Sequence, residues 1–298
     1  MIIPPYLKPG DTIGITFPAG ALTLDTILPM KEQLIKWGFK VKIGSTVGTS
    51  YFKFSANDHE RLSDLQQMLD DKNIQAILFG RGGYGTVRII DQIDFSTFLK
   101  HPKWILGYSD ITCIISHLHT QYNVCSIHGH MSGGYLESDY DEESTQSIFN
   151  VLTGLNTSYQ IPEHIMTRNG HAEGILVGGN LALISDNIGT DSDINTEDKI
   201  LFIEDIGEYK YNIDRMLWQL KRSGKLSKLK ALLVGGFTQT LDNEVPFGMN
   251  EYEIVWEKVK DFKYPVYFDF PVGHQARNVA LKVGMRYEIK NNYLLSKK

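Results

Sequence analysis

Cysteine is nearly missing from this chain: Cys113 and Cys125 are the only two in 298 residues. Two lone cysteines make no disulfide framework, and without a Cys-x-x-Cys pair they offer no zinc-ribbon spacing. Basic charge is also short. Thirty Lys and Arg face 35 Asp and Glu, for a net charge of −5. Binding phosphates along a nucleic acid needs the opposite balance, so nucleic acid is not expected as a partner. No apolar run reaches the roughly 18 residues of a membrane-spanning helix. The start, Met1-Ile2-Ile3-Pro4-Pro5, has neither the basic nor the apolar region of a signal peptide, which makes the cytoplasm the expected location. Internal repeats and low-complexity tracts are lacking too. What remains is the composition of a globular protein, 42% apolar and 22% charged, long enough for one large domain or two smaller ones.

Strand and helix patterns alternate through the first half. Apolar runs at Thr12 to Phe17, Ile74 to Phe79 and Trp104 to Leu106 read as buried strands. Between them Ile27, Leu34 and Ile35, closed by Gly38, and then Leu62, Leu65 and Leu69 fall at helical spacing. Such alternation predicts an α/β fold with a parallel sheet and right-handed crossovers, whose sites lie at the carboxyl ends of the strands. From Ser138 to Gly170 the chain turns polar with weak periodicity. We therefore expect a first domain over 1–140, a connection over 141–170 and a second, smaller domain over 171–298. The second is richer in strands: Ile200 to Ile203, Ala231 to Val234, Val266 to Phe268 and Tyr287 to Ile289. Helices are marked by Ile213, Met216, Leu217 and Leu220, and by Tyr252, Val255, Trp256 and Val259.

Three places carry candidate chemistry. Trp104-Ile105-Leu106-Gly107-Tyr108-Ser109-Asp110 ends a strand and enters a helix-like segment, Ile111 to Thr120. A serine on such a turn projects its hydroxyl clear of the sheet with the following amides beside it, as a nucleophile requires; an ordinary N-cap is the competing reading. The second place is Gly80-Arg81-Gly82-Gly83-Tyr84-Gly85, after a strand and before an expected helix. Its glycines free the backbone to approach a ligand, to bind phosphate, to donate to an oxyanion at Ser109, or only to turn tightly. It has neither the Walker nor the dinucleotide spacing. The third is a carboxylate with a distant histidine. Glu204 and Asp205 close an apolar run, either to orient a histidine or as helix-start acids, with Glu208 a competitor. Gly273-His274-Gln275 lies in a loop from which a histidine can act as a base. The remaining histidines crowd His101, His117, His119, His128 and His130. On a helix His117 and His119 diverge; on a strand His128 and His130 share a face, yet no acidic or cysteine ligand accompanies them, so no metal site is expected. Cys113 reads as core filler.

Five motifs in order resemble the serine LD-carboxypeptidases, the muramoyltetrapeptide carboxypeptidases whose relatives include the microcin-C immunity peptidases. They are Gly80 to Gly85, Gly107-Tyr108-Ser109-Asp110, Gly178-Gly179-Asn180-Leu181, Glu204-Asp205-Ile206-Gly207-Glu208 and Gly273-His274. The opening Pro5 to Pro18, with its Lys8-Pro9-Gly10-Asp11 turn, is similar as well. The resemblance implies a flavodoxin-like parallel-sheet N-terminal domain and a smaller β-rich α/β C-terminal domain. It implies Ser109 as nucleophile, His274 as general base and acid, and Glu204 holding the imidazole tautomer. The oxyanion would be held by the amide of Asp110 and of a glycine in the Gly82-Gly83 turn. The implied reaction is metal-free and cofactor-free release of terminal D-alanine from murein tetrapeptides during wall recycling, by a homodimer. Two departures bear on substrate fit: Pro18-Ala19 where Pro-Ser is usual, and His128-Gly129-His130 where a proline is common after the glycine.

The substrate carboxylate needs a local donor in an acidic protein: Arg81, the helix N-terminus after Ser109, or Arg277. Two other functions compete. An immunity-type peptidase would cleave aminoacyl-nucleotide conjugates, stacking the base on tryptophans of the connecting region. Trp37, Trp104, Trp218 and Trp256 all lie outside Ser138 to Gly170, which leaves Tyr135 and Tyr140 to stack. A non-catalytic protein binding anionic peptides is the third.

Overall fold

In a computed structural model describing residues 1–132 and 141–297, the two halves of the pattern become two sheets. The first half runs β1 (Thr12–Thr16), α1 (Leu28–Lys36), β2 (Lys40–Ile43), α2 (Asp58–Asp70) and β3 (Ile74–Phe79). It continues through α3 (Ser96–Lys100), β4 (Trp104–Gly107), α4 (Thr112–Tyr122) and β5 (Ser126–His128). These strands are parallel in the order β2-β1-β3-β4-β5. This is the flavodoxin-like arrangement, with its topological switch between β1 and β3, where α/β sheets place their ligands. Ile13, Ile15, Ile77, Phe79 and Ile105 are all buried, because helices on both faces of a parallel sheet leave no wet side. α2 starts in a capping box, in which Asn57 and Glu60 each accept from the other's backbone N–H.

The second half runs α5 (Glu142–Leu152), β6 (Ser158–Gln160), β7 (Ala172–Asn180), α6 (Leu181–Asp186), β8 (Ile200–Ile206), α7 (Lys210–Arg222) and β9 (Ala231–Thr238). It ends with α8 (Glu251–Val259), β10 (Val266–Tyr267), β11 (Leu281–Val283), β12 (Arg286–Lys290) and β13 (Tyr293–Ser296). Seven strands form the order β10-β9-β8-β7-β12-β13-β6. The first four are parallel; β12, β13 and β6 add antiparallel. A separate core of Ile203, Leu217, Leu232, Val234 and Val255 lies within this half. β11 leaves it and pairs antiparallel with β5, extending the first sheet. No helix among the described residues is long and apolar enough to cross a membrane.

Two local expectations change. The glycine stretch after β3 leads into two single 3₁₀ turns, Thr86–Arg88 and Ile90–Gln92, instead of a regular helix. Within 141–170 the chain forms α5, whose Ile148, Val151 and Leu152 are buried in the first core. Its outward Glu142, Glu143 and Gln146 are what makes that segment read as polar.

Candidate active site

Past Gly107 the chain turns at Ser109, whose φ of +60° lies in the left-handed region that side chains rarely adopt. It enters α4 through one 3₁₀ turn, Ser109–Ile111, and the residue at the N-cap of α4 is Ile111, with no side-chain cap. The N-cap reading of the serine therefore fails. What remains is a strained strand-to-helix elbow, the geometry that lifts a hydroxyl above a sheet.

The glycine loop presses directly on this elbow. A Cβ on Gly82 would stand 3.0 Å from Ser109 Cβ, 3.1 Å from its Oγ and 3.2 Å from the Asp110 nitrogen, so any larger residue would push on the serine turn. Asp110 holds the loop there. Its buried carboxylate accepts from the Thr86 amide at 2.9 Å and the Thr86 hydroxyl at 2.5 Å. Burial pushes that carboxyl up, and the Thr86 donors pull it back. From the other side the fully buried Arg61 donates to the Gly85 carbonyl at 3.0 Å and to that of Pro18. Gly83, with φ +91°, is in the same turn. Arg81 is exposed, its Nη1 donating to the Ala21 carbonyl at 3.2 Å.

The second half supplies a carboxylate and an imidazole. Glu204 and Asp205 lie inside β8, not at a helix start, since α7 begins only at Lys210. Glu204 is fully buried, and its Oε2 is 2.7 Å from Nδ1 of His274, in the loop after β10. The contact depends on Gly273: at φ +113°, a Cβ there would lie 2.6 Å from Glu204 Cβ and 2.7 Å from Oε2. Asn278 closes the same loop. Its Oδ1 accepts from the Gly273 amide at 3.0 Å, while its backbone N–H donates to Ser144 Oγ of α5 at 2.8 Å. Thr238 adds a hydroxyl donor to the His274 carbonyl at 2.9 Å. The His274 ring rests on that of Tyr108, centroids 4.7 Å apart, which sets the Glu204–His274 pair beside the residue preceding Ser109. The sheets meet again where Asn180, the N-cap of α6, donates its amide to Thr112 Oγ1 at 3.1 Å. Asn180 Nδ2 also reaches Asp205 Oδ1 at 2.8 Å, and burial, then the charge of Glu204, pushes Asp205 up to about 7.

Of the residues expected from sequence, Glu204 and His274 are joined directly, and Gly82 and the Asp110 amide crowd Ser109. Glu208 takes no part in that pair; its Oε2 accepts from Asn212 at 3.0 Å. Arg277 is paired with Glu143 at 2.7 Å. Cys113 is buried, its thiol pushed up to about 12, which leaves almost no thiolate at neutral pH. Tyr135 and Tyr140 lie outside the described residues. Tyr108, Thr86, Arg61 and Asn278 were not singled out from sequence; each acts through a partner far along the chain and no local pattern marks it.

His117 contacts Ser192 Oγ at 3.1 Å, and His128 and His130 set their rings edge-on to Tyr108. Among the described residues, no three His, Cys, Asp or Glu side chains are grouped to hold a metal ion. His128 is wholly buried, neither ring nitrogen has a hydrogen-bond partner, and burial pushes its pKa from 6.5 to about 4. The unfolded chain then binds the proton first, so this residue's contribution to stability is whole above pH 6.5 and is lost as pH falls toward 4. His119 and His130, also pushed to about 4, act in the same direction. We expect His128→Leu to lose ~3 kcal/mol less than wild type between pH 7 and 4 in urea titrations. Identical losses in the two proteins would show that His128 does not titrate this way.

Residues 13–129 match the LD-carboxypeptidase N-terminal domain and residues 173–289 the LD-carboxypeptidase C-terminal domain. A Bacillus subtilis protein named "Probable murein peptide carboxypeptidase" is 35% identical over 290 residues, covering 95% of this chain and 90% of that one. The "Murein tetrapeptide carboxypeptidase" of Pseudomonas aeruginosa is 28% identical, covering 95% and 94%. Among solved structures, muramoyltetrapeptide carboxypeptidase from Oxalobacter formigenes superposes with a TM-score of 0.85 at 27% identity, over 95% of this chain and 97% of that one. The microcin C7 self immunity protein MccF, in complex with aspartyl sulfamoyl adenosine, superposes at 0.90 over 100% and 99%; at 21% identity this likeness is one of fold.

Proposed function

The chain belongs to the LD-carboxypeptidase family, and we propose that within it this protein is a serine carboxypeptidase releasing terminal D-alanine from murein tetrapeptides. The observation that carries the reading is the Glu204–His274 hydrogen bond of 2.7 Å, set through Tyr108 against the strained turn of Ser109. In this mechanism Ser109 Oγ attacks the carbonyl carbon of the L,D-peptide bond while His274 Nε2 accepts its proton. Glu204 keeps the proton of His274 on Nδ1 and balances the imidazolium that forms. The amides of Asp110 and of the Gly82-Gly83 turn receive the oxyanion, each worth about 3–4 kcal/mol to the transition state. His274 then protonates the departing amine of D-alanine. A water, deprotonated by His274, hydrolyses the acyl-serine.

Arg81, with no carboxylate partner among the described residues, is our choice for the substrate's terminal carboxylate. Residues 1–140 bring the nucleophile and residues 171–298 the acid and base, joined through 141–170, with the reaction in the cleft between. A metal-independent homodimer in the cytoplasm completes the proposal.

The test is release of free D-alanine from a purified murein tetrapeptide by wild type and Ser109→Ala, with a chelator present throughout. Release by wild type alone, unaffected by chelator, is the expected result. No release by wild type would overturn the murein assignment and make aminoacyl-nucleotide conjugates the next substrates. Failure of Ser109 to react with a serine-directed acylating probe would leave a peptide-binding protein.

A further inference from the structure

Phe52 is placed where no folding requirement puts it. The ring is 89% exposed, and its backbone has φ +56°. A bulky residue in the left-handed region is strained, and an exposed phenyl ring forgoes burial; a glycine or asparagine would make the same turn without either penalty. The turn itself is well made. Tyr51 and Phe54 exchange reciprocal backbone hydrogen bonds of 2.8 and 3.0 Å, with Phe52 and Lys53 at the tip. Strain of this kind, held by ordered surroundings, is characteristic of ligand clamps.

The turn adjoins the catalytic elbow. Phe54 bridges to Gly20, the Gly20 amide donates to the Gly82 carbonyl at 2.9 Å, and Gly82 packs on Ser109. On the outer side Tyr51 meets Phe52 edge-on, centroids 4.9 Å apart, and Lys53 Nζ sits 4.9 Å over the half-exposed ring of Tyr84. Lys53 and Arg81 have no carboxylate partner among the described residues, in a chain whose net charge is −5. The result is an exposed aromatic pair, Tyr51 and Phe52, next to Lys53, on a turn tied to the loop that packs on Ser109.

We propose that Tyr51 and Phe52 form a second binding site, a platform for the amino-sugar ring borne by a muramoyl peptide, with Lys53 facing the carboxylates of the residues that follow the sugar. This rests on the murein reading above. The apolar face of a pyranose packs on aromatic rings, and the anionic peptide that follows the sugar complements Lys53. A second copy of the chain is the other occupant such a surface admits, and the experiment separates the two.

Dissociation constants are measured with the full-length Ser109→Ala protein, which holds substrate without turnover, for a muramoyl tetrapeptide and for the same tetrapeptide without its sugar. The comparison is repeated with Phe52→Gly added, a change that suits the positive φ and leaves the turn intact. The expected result is tighter binding of the sugar-bearing peptide by about tenfold, and loss of most of that preference in the Phe52→Gly protein, with the sugar-free peptide within about twofold. An unchanged preference, equal weakening of both peptides, or no preference at the outset overturns the platform. A fall in sedimentation coefficient on Phe52→Gly, with the preference intact, assigns the turn to a second copy instead. Turnover of wild-type protein is read separately, so a failed murein assignment shows in D-alanine release and a failed platform in the ratio of affinities.

Discussion

Ser109→Ala should lower kcat by a factor on the order of 10⁴ or more, with the unfolding midpoint unchanged. The serine is at φ +60°, and alanine carries the same Cβ, so the backbone strain is kept while the nucleophile is lost. Nothing else at the elbow changes: Gly82 still meets a Cβ, and the Asp110 amide still faces the glycine loop. Ser109→Gly should be equally inactive yet more stable than Ser109→Ala by about 1 kcal/mol, because glycine takes a positive φ without penalty. Together the variants separate chemistry from folding. Appreciable turnover by the alanine variant would sink the assignment of the nucleophile, and equal stability of the two would show that the turn stores no strain.

Glu204→Gln should lower kcat by about 10³- to 10⁴-fold with KM nearly unchanged. Glutamine fills the same volume, and its carbonyl can still accept the His274 Nδ1 proton now 2.7 Å from the carboxylate. What it lacks is the negative charge that balances the imidazolium in a site where Glu204 is fully buried. Folding stability should change little, because the variant removes a buried charge but leaves its new amide N–H groups unpaired where Oε1 of Glu204 has no partner. The double variant Ser109→Ala/Glu204→Gln should be no slower than Ser109→Ala alone, since the two residues act as one unit. Multiplying losses in the double variant, or a Glu204→Gln enzyme near wild-type speed, would remove Glu204 from that unit. The corresponding Glu208→Gln change leaves the Glu204–His274 bond untouched and should spare kcat.

Several elements were plain from the chain. The run Ile74 to Phe79 is β3 to the residue, and the leucine stripe 62, 65, 69 lies within α2. The strand–helix alternation agrees with the parallel first sheet, while its order β2-β1-β3-β4-β5 comes from packing. The short strands β6, β11 and β13 were not visible, because their pairing partners, not three or four residues of local pattern, make them strands. Helix α5 was hidden by its acidic outer face, and its buried stripe has meaning only against the first core.

By itself the sequence determined the α/β class, the glycines at 80–85 and 273, and a serine, a carboxylate and a histidine in chain order, each near a strand end or in a loop. Local periodicity and backbone preference suffice for that, since they act over a few residues. Only the tertiary structure decided that Glu204, not Glu208, holds His274, that Asp110 staples the glycine loop through Thr86, and that Asn278 closes the His274 loop onto Ser144. Those bonds join residues 70, 24 and 134 positions apart. Their geometry comes from how two sheets pack, and no spacing along the chain encodes it.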